Sequence, residues 1–184
     1  MEDIKERLGE YKYNFFTNLQ NYLETELYFF GSIKRFDYIS NSSDIDIIVI
    51  TDNVKSMLSK IQTYLDISKD NTQKIFQQYS VYDKGVITGY KIKYKNVEND
   101  IEFDLLVYDE KNRNAVLQNI NDINNLPLYM IIILYILKIL YYKLHFISKK
   151  IYNNLKCYLF VCYFNGELRY YNKERAQVIM LDEF

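Results

Sequence analysis

Two aspartates, Asp44 and Asp46, open the run DIDIIVIT at residues 44–51, whose β-branched side chains predict a buried strand. Period-two alternation puts both carboxylates on one face of that strand and Ile45 and Ile47 on the other. Carboxylates held side by side repel, and a divalent cation relieves the repulsion. Hard oxygen ligands favour Mg²⁺ or Mn²⁺. Upstream, Gly31-Ser32 follows a short apolar run at residues 27–30 that predicts a strand, and a short helix is expected to begin with Ser32 as its N-cap. Glycine lets the backbone approach a ligand closely, and a helix N-terminus offers free N–H groups, so Gly31 and Ser32 form a candidate anion cradle suited to a triphosphate. Downstream, Asp104 lies between Phe103 and Leu105 in IEFDLLVY, residues 101–108. A buried aspartate among apolar neighbours is costly unless paired or metal-bound. Asp100 and Glu102 share its face by alternation, so the third acid stays open between Glu102 and Asp104; the apolar run on both sides favours Asp104.

The elements that must position these residues follow from periodicity. Residues 2–24 predict a helix with Ile4, Leu8, Tyr11, Phe15, Leu19 and Tyr22 as its apolar stripe. Asp52-Asn53 caps a second helix whose buried face is Val54, Leu58, Ile61 and Leu65. Strands at 75–82 and 86–94, joined by Asp83-Lys84-Gly85, predict a hairpin. After Asp109 the chain turns helical, with helices expected at 127–150 and 152–164 and no assignment for the final stretch. The fold class is α+β: one mixed sheet flanked by helices, with a catalytic domain over residues 1–125 and a C-terminal helical region over 126–184 packed on it.

Composition narrows the function. Nearly half of the 184 residues are apolar, enough for a sizeable core. Net charge is −1, with an acidic excess in the part that holds the aspartates and a basic excess after residue 126. That balance does not signal a protein that grips duplex DNA. Cys157 and Cys162, the two cysteines, sit one helical turn apart and read as free core thiols of a reducing compartment. With one histidine and no CxxC, a zinc site is not expected. The uncharged run LPLYMIIILYIL at 126–137 is shorter than the ~18–20 residues that span a bilayer, and it predicts a buried helix with Tyr129, Ile132, Ile133, Ile136 and Leu140 facing protein. The N-terminus is charged and amphipathic, unlike a secretory leader. A soluble intracellular protein, cytoplasmic rather than nuclear, and no membrane partner are therefore expected.

The stretch GSIKRFDYISNSSDIDIIVI resembles the hG[GS]…DhDh signature of the DNA polymerase beta superfamily of nucleotidyltransferases, and FDL resembles its later hDh strand. The likeness covers roughly residues 25–108. It extends, through GSI-x-RFDY, to small nucleotidyltransferase-like proteins of large DNA viruses and protists. The resemblance implies a metal- and NTP-dependent enzyme, ATP being one such nucleotide. It implies two Mg²⁺ or Mn²⁺ ions held by Asp44, Asp46 and Asp104, attack of an acceptor hydroxyl on the α-phosphate, and release of pyrophosphate. Ser32 would bind the β- and γ-phosphates. Lys34-Arg35 resembles the basic pair after GS in the DNA-polymerase branch, making Arg35 a candidate phosphate contact beside Gly31 and Ser32. No helix-hairpin-helix signature accompanies it, so templated DNA synthesis is not implied. The acceptor stays open among a nucleic-acid end, a small molecule and a protein.

Plainer readings stand beside these. An Asp-x-Asp at a strand start often marks only a solvated strand end, and Gly-Ser alone marks a turn. Tyr141-Tyr142-Lys143 could stack a base, but in a chain this rich in tyrosine core packing is the simpler reading. A catalytically quiet module that binds nucleotide or a partner, of the antitoxin type, is the alternative to an active transferase. Three retained, mutually repelling acids argue for the transferase.

Overall fold

A computed structural model of the chain describes residues 2–40, 42–78, 86–163 and 170–172. The elements run α1 (Glu2–Leu23), β1 (Tyr28–Phe30), a 3₁₀ turn (Gly31–Lys34), β2 (Ile45–Thr51), α2 (Val54–Leu65), β3 (Thr72–Gln78), β4 (Val86–Asn96) and β5 (Ile101–Asp109). Then come α3 (Arg113–Asn124), α4 (Leu128–Lys138), a π turn (Ile139–Lys143), α5 (Lys149–Tyr163) and β6 (Tyr170–Asn172). The strands form one sheet in the order β1-β2-β5-β4-β3-β6. β2 and β5 pair in parallel, and the other described pairs are antiparallel. The sheet is mixed and the class α+β, as the sequence predicts. The Asp83-Lys84-Gly85 turn lies outside the described residues, although β3 and β4 pair antiparallel as its hairpin requires. The short β6 at the sheet edge is an element the sequence did not announce.

Alternation divides the sheet into two chemically different faces. Ile45, Ile47 and Val49 of β2, with Ile101, Phe103, Leu105 and Val107 of β5, are buried in the main core beneath α1 and α2. Each such side chain contributes about 1.5–3 kcal/mol by leaving water. On the other face, Ile48, Ile50 and Tyr108 pack against Val116 and Ile120 of α3. That second cluster covers only one end of the face, and the other end is left to Asp46 and Asp104.

The first two helices bury most of the expected faces, with additions at their edges. In α1, Ile4, Leu8 and Leu19 are buried as predicted and Phe15 packs against the core, but Tyr11 and Tyr22 are exposed and Phe16 and Leu23 are buried beside the predicted stripe. Gly9 has φ +73° and kinks the helix there. In α2, Asn53 accepts from Ser56 N–H as the expected cap, and the fully buried positions are Met57, Ile61 and Leu65; Val54 and Leu58 are partly buried beside them.

The C-terminal half departs further. The helix expected over 127–150 ends in the π turn, and His145, at φ +53°, redirects the chain before α5. Within α4 the buried residues are Met130, Ile131, Leu134, Leu137 and Lys138. Tyr129, Ile132, Ile133 and Ile136, expected to be buried, are exposed. The helix is apolar all round, so periodicity did not define a unique inner face. Cys157 and Cys162 are free but exposed, not core thiols. Among the described residues no single helix is long and apolar enough to cross a membrane; Glu110–Asn124 and Leu128–Lys143 reach that length together only across a 74° bend.

Gly89 of β4 faces Tyr108 of β5 in register. A Cβ at Gly89 would stand 2.4 Å from the Tyr108 ring, which is fully buried and has nowhere to go. Gly89→Ala should therefore destabilise the chain by about 2–3 kcal/mol in urea unfolding. Combining it with Tyr108→Leu should cost less than the two single changes added together. Simple additivity would show that the two sites do not share this contact.

Candidate active site

The parallel register of β2 and β5 sets Asp46 directly beside Asp104. Asp44 precedes the strand, at the end of the turn leading into Ile45. Burial pushes the Asp46 carboxyl up to about 6; Asp104 and Asp44 push the same way, against Lys156 and Lys91. Asp104 forms a close ion pair with Lys91, which reaches across from β4. Lys93 is the residue directly opposite Asp104, and the alternation of KIKYK puts Lys91, Lys93 and Lys95 on the carboxylate face. Glu102, the alternative third acid, is exposed and pairs with Lys95 at 2.6 Å. Among the described residues no three carboxylate, histidine or cysteine groups form a ready-made metal centre. The chemistry of the donor set nevertheless fits a hard divalent cation, because Asp46 and Asp104 are adjacent and Asp46 feels both other acids.

Gly31 and Ser32 begin the 3₁₀ turn; Phe30, with no side-chain capping bond, holds the N-cap position that the sequence suggested for Ser32. Gly31 has φ +75°, and a Cβ there would lie 3.1 Å from an Asp46 carboxylate oxygen. Any other residue would be strained and would press on that carboxylate. The Gly31 N–H donates to the side-chain carbonyl of Asn124 at 2.9 Å, which ties the turn to the end of α3. Gly31, Ser32, Asp46, Lys91 and Asn119 all line one cavity of about 470 Å³, closed on its far side by Asn153, Lys156, Cys157 and Phe160 of α5. A cavity of this size is in the range of small-ligand sites.

Arg35 is buried and committed to protein. Its guanidinium donates to both oxygens of Asp37, at 2.9 and 3.2 Å, and to the Ile123 carbonyl at 2.8 Å. Asp37 is completely buried and also meets Lys138 of α4 at 3.2 Å. Lys138 in turn donates to the Asp37 carbonyl at 2.9 Å and to Ser43 at 3.1 Å. Burial pulls the Lys138 ammonium down to about 8, with Asp37 opposing. Two cations around one carboxylate thus pin the chain between the glycine turn and β2 onto α4.

A second, smaller cavity of about 280 Å³ lies on the other side of Asn153 and Lys156, which line both. Asp44, Glu102, Lys149, Tyr141, Tyr142 and Tyr152 are among its walls. Tyr141 and Tyr152 stack with centroids 4.8 Å apart and planes at 13°. Burial pushes the Tyr142 hydroxyl up to about 12, and Asp44 adds to the effect, so the phenol keeps its proton near neutrality.

Of the residues singled out from sequence, Gly31, Ser32, Arg35, Asp46 and the cavity come together, with Asp104 beside Asp46. Asp44 faces the smaller cavity. Sequence reasoning missed Lys138, Asp37, Lys91, Asn124 and Lys156. Lys138 was legible in principle, since a lysine inside an apolar helix demands a partner. The alternation of Lys93 and Lys95 opposite Asp104 and Glu102, continued by Lys91, was another readable signal. Asp37 lies in the RFDY stretch, but nothing there marked it as a buried counter-ion, and nothing in the sequence marked Asn124.

Two expectations follow. Asp37→Ala leaves Arg35 and Lys138 buried without their counter-charge and should cost about 3–5 kcal/mol, whereas Lys138→Met leaves a balanced Arg35–Asp37 pair and should cost less. Equal losses in urea unfolding would overturn that ranking. For Asp46, a raised carboxyl means that the folded state holds its proton more tightly than the unfolded state. Stability is therefore unaffected at the most acidic pH and is lost as pH rises from about 4 through about 6, by about 2–3 kcal/mol. In chelator, Asp46→Asn should gain on the wild type by that amount across the window; a constant difference between pH 4 and 7 would rule out this source.

A family model described as nucleotidyltransferase domain matches residues 14–162, from within α1 almost to the end of α5. No curated relative matches the chain. The match takes in the glycine turn, the paired acids and the helices that close the cavity, and the chain belongs to the nucleotidyltransferase domain family of the polymerase beta-like superfamily.

Proposed function

We propose that the chain transfers a nucleoside monophosphate from an NTP to an acceptor hydroxyl and releases pyrophosphate. The observation that carries this reading is the Asp46–Asp104 pair in register beside a cavity whose rim is Gly31-Ser32. The acceptor oxygen forms a bond to the α-phosphorus, and the bond from that phosphorus to the departing pyrophosphate breaks with its electron pair. The hydroxyl proton passes to Asp104, which must first part from Lys91. Ser32 donates to the β- and γ-phosphates. Lys91, once released, and Lys156 offset phosphate charge along the cavity. Arg35 acts through Asp37 and Ile123 as a brace for the turn rather than as a phosphate contact. Asp44, Asp46 and Asp104 would hold two Mg²⁺ or Mn²⁺ ions, which supply charge stabilisation for the attacking and leaving oxygens when bound. On this reading residues 1–125 form the catalytic domain, and 126–184 close it.

One observation favours the quieter alternative. Lys91 already neutralises Asp104, so the acids can coexist without metal. A module that binds nucleotide and transfers nothing would keep that pair closed.

The test is to incubate the full chain with Mg²⁺ or Mn²⁺, α-labelled NTPs and a panel of RNA, DNA, protein and small hydroxyl acceptors. Wild type should label an acceptor and release pyrophosphate. Asp46→Asn and Asp104→Asn should lose about a hundred- to thousandfold in rate, the scale seen when one group that stabilises transition-state charge is removed. Mn²⁺ should raise the melting temperature of wild type more than that of either variant. Nucleotide-dependent stabilisation with no label transferred to any acceptor would favour the quiet module.

A further inference from the structure

We propose that the chain self-associates through the outer face of α4, with a second copy packed antiparallel on it about a twofold axis near Ile132 and Ile133. The inner face of α4 is spent on the fold: Met130, Leu134 and Lys138 are buried. The outer face carries Leu128, Tyr129, Ile132, Ile133 and Ile136, which are 37–64 % exposed. Leu128, Ile132 and Ile136 form one i, i+4 row and Tyr129 and Ile133 the next, so the face is a ridge and groove of the kind that helices interlock. Five such side chains expose on the order of 500 Å² of contiguous apolar surface, at the scale that marks an interaction site on a monomer. Two copies of the patch would bury on the order of 1,000 Å², close to the lower bound for a specific interface. Phe36, 49 % exposed and edge-on to Tyr135 at 6.4 Å, extends the patch beyond the helix.

A second copy fits this face better than a lipid surface or a charged partner. The one charged residue of α4 is Lys138, and it is turned inward onto Asp37. The outer face therefore lacks the lysines and arginines by which interfacial helices engage anionic lipid. An uncharged patch can meet its own image with no like charges opposed, as an isologous contact requires.

The experiment is sedimentation equilibrium of the full chain from about 1 to about 100 µM. The mass should climb from 22.3 kDa toward twice that value. Ile132→Asp and Ile133→Asp should each weaken the dimer by at least about a hundredfold, because the symmetric contact brings two unpaired carboxylates into an apolar interface. A second arm covers variants that fail to fold. With Cys157 and Cys162 replaced by serine, Ile133→Cys should give a disulfide-linked dimer on mild oxidation, and Val97→Cys, in the exposed turn before β5, should not. A single-chain mass at every concentration together with no Ile133→Cys cross-link overturns the proposal. So does a dimer that both Asp variants leave intact. Flotation of the monomer with phosphatidylcholine–phosphatidylserine vesicles, lost in the Asp variants, would also overturn it and would assign the face to lipid.

Discussion

Side chains at the same register on neighbouring strands are held about 4.8 Å apart, and the backbone ladder does not let them separate. Asp46 and Asp104 occupy such a pair. A slip of β2 by one residue would turn Asp46 into the core beneath α1 and α2 and bring Ile47 out in its place. The depth of that core is what forbids the slip. The hydrophobic face thus fixes the position of two charges on the opposite face, and the sheet holds a repulsion that free side chains would avoid. Much of what surrounds the pair answers to it: Lys91 compensates one carboxylate, Gly31 makes room for the other, and Lys156 approaches from α5.

The second constraint is the buried carboxylate of Asp37. Arg35 reaches it from the glycine turn and Lys138 from α4, so two segments far apart in sequence share one counter-ion. A displacement of α4 would be felt at Gly31-Ser32 through Arg35. The C-terminal helices are in this sense part of the site. Leu134 and Lys138 border the larger cavity, and Asn153 and Lys156 border both cavities.

The strands that carry the candidate acids were legible because they combine a strong period with expensive residues: DIDIIVIT and IEFDLLVY each place an acid inside a β-branched or aliphatic run. Their parallel pairing is a feature of the structure that the order of elements did not announce. What could not be read was anything set by a side chain reaching across the fold. Arg35 looked like a phosphate ligand in its local context, yet its partners are Asp37, the Ile123 carbonyl and, through Asp37, a lysine on α4. The inner face of α4 was equally hidden. In a helix apolar on all sides, only Lys138 distinguished one face from another, and its inward orientation is set by Asp37. In α1 the stripe was read correctly at Ile4, Leu8, Phe15 and Leu19, and only its two tyrosines, Tyr11 and Tyr22, lie outside the core.

The pairing of Asp46 with Asp104 also bears on how the chain reaches its fold. The two strands are parallel, so the chain must travel the length of the sheet and return through α2 and the β3–β4 hairpin before they can meet. Contacts of such long sequence separation form after the local ones, because the closure entropy of the intervening chain has to be overcome first. Helices and hairpin can therefore assemble with the two carboxylates still apart and hydrated. Their mutual repulsion enters at the step that closes the sheet, so the electrostatic strain of this protein acts on the rate of its final docking and leaves the early collapse untouched.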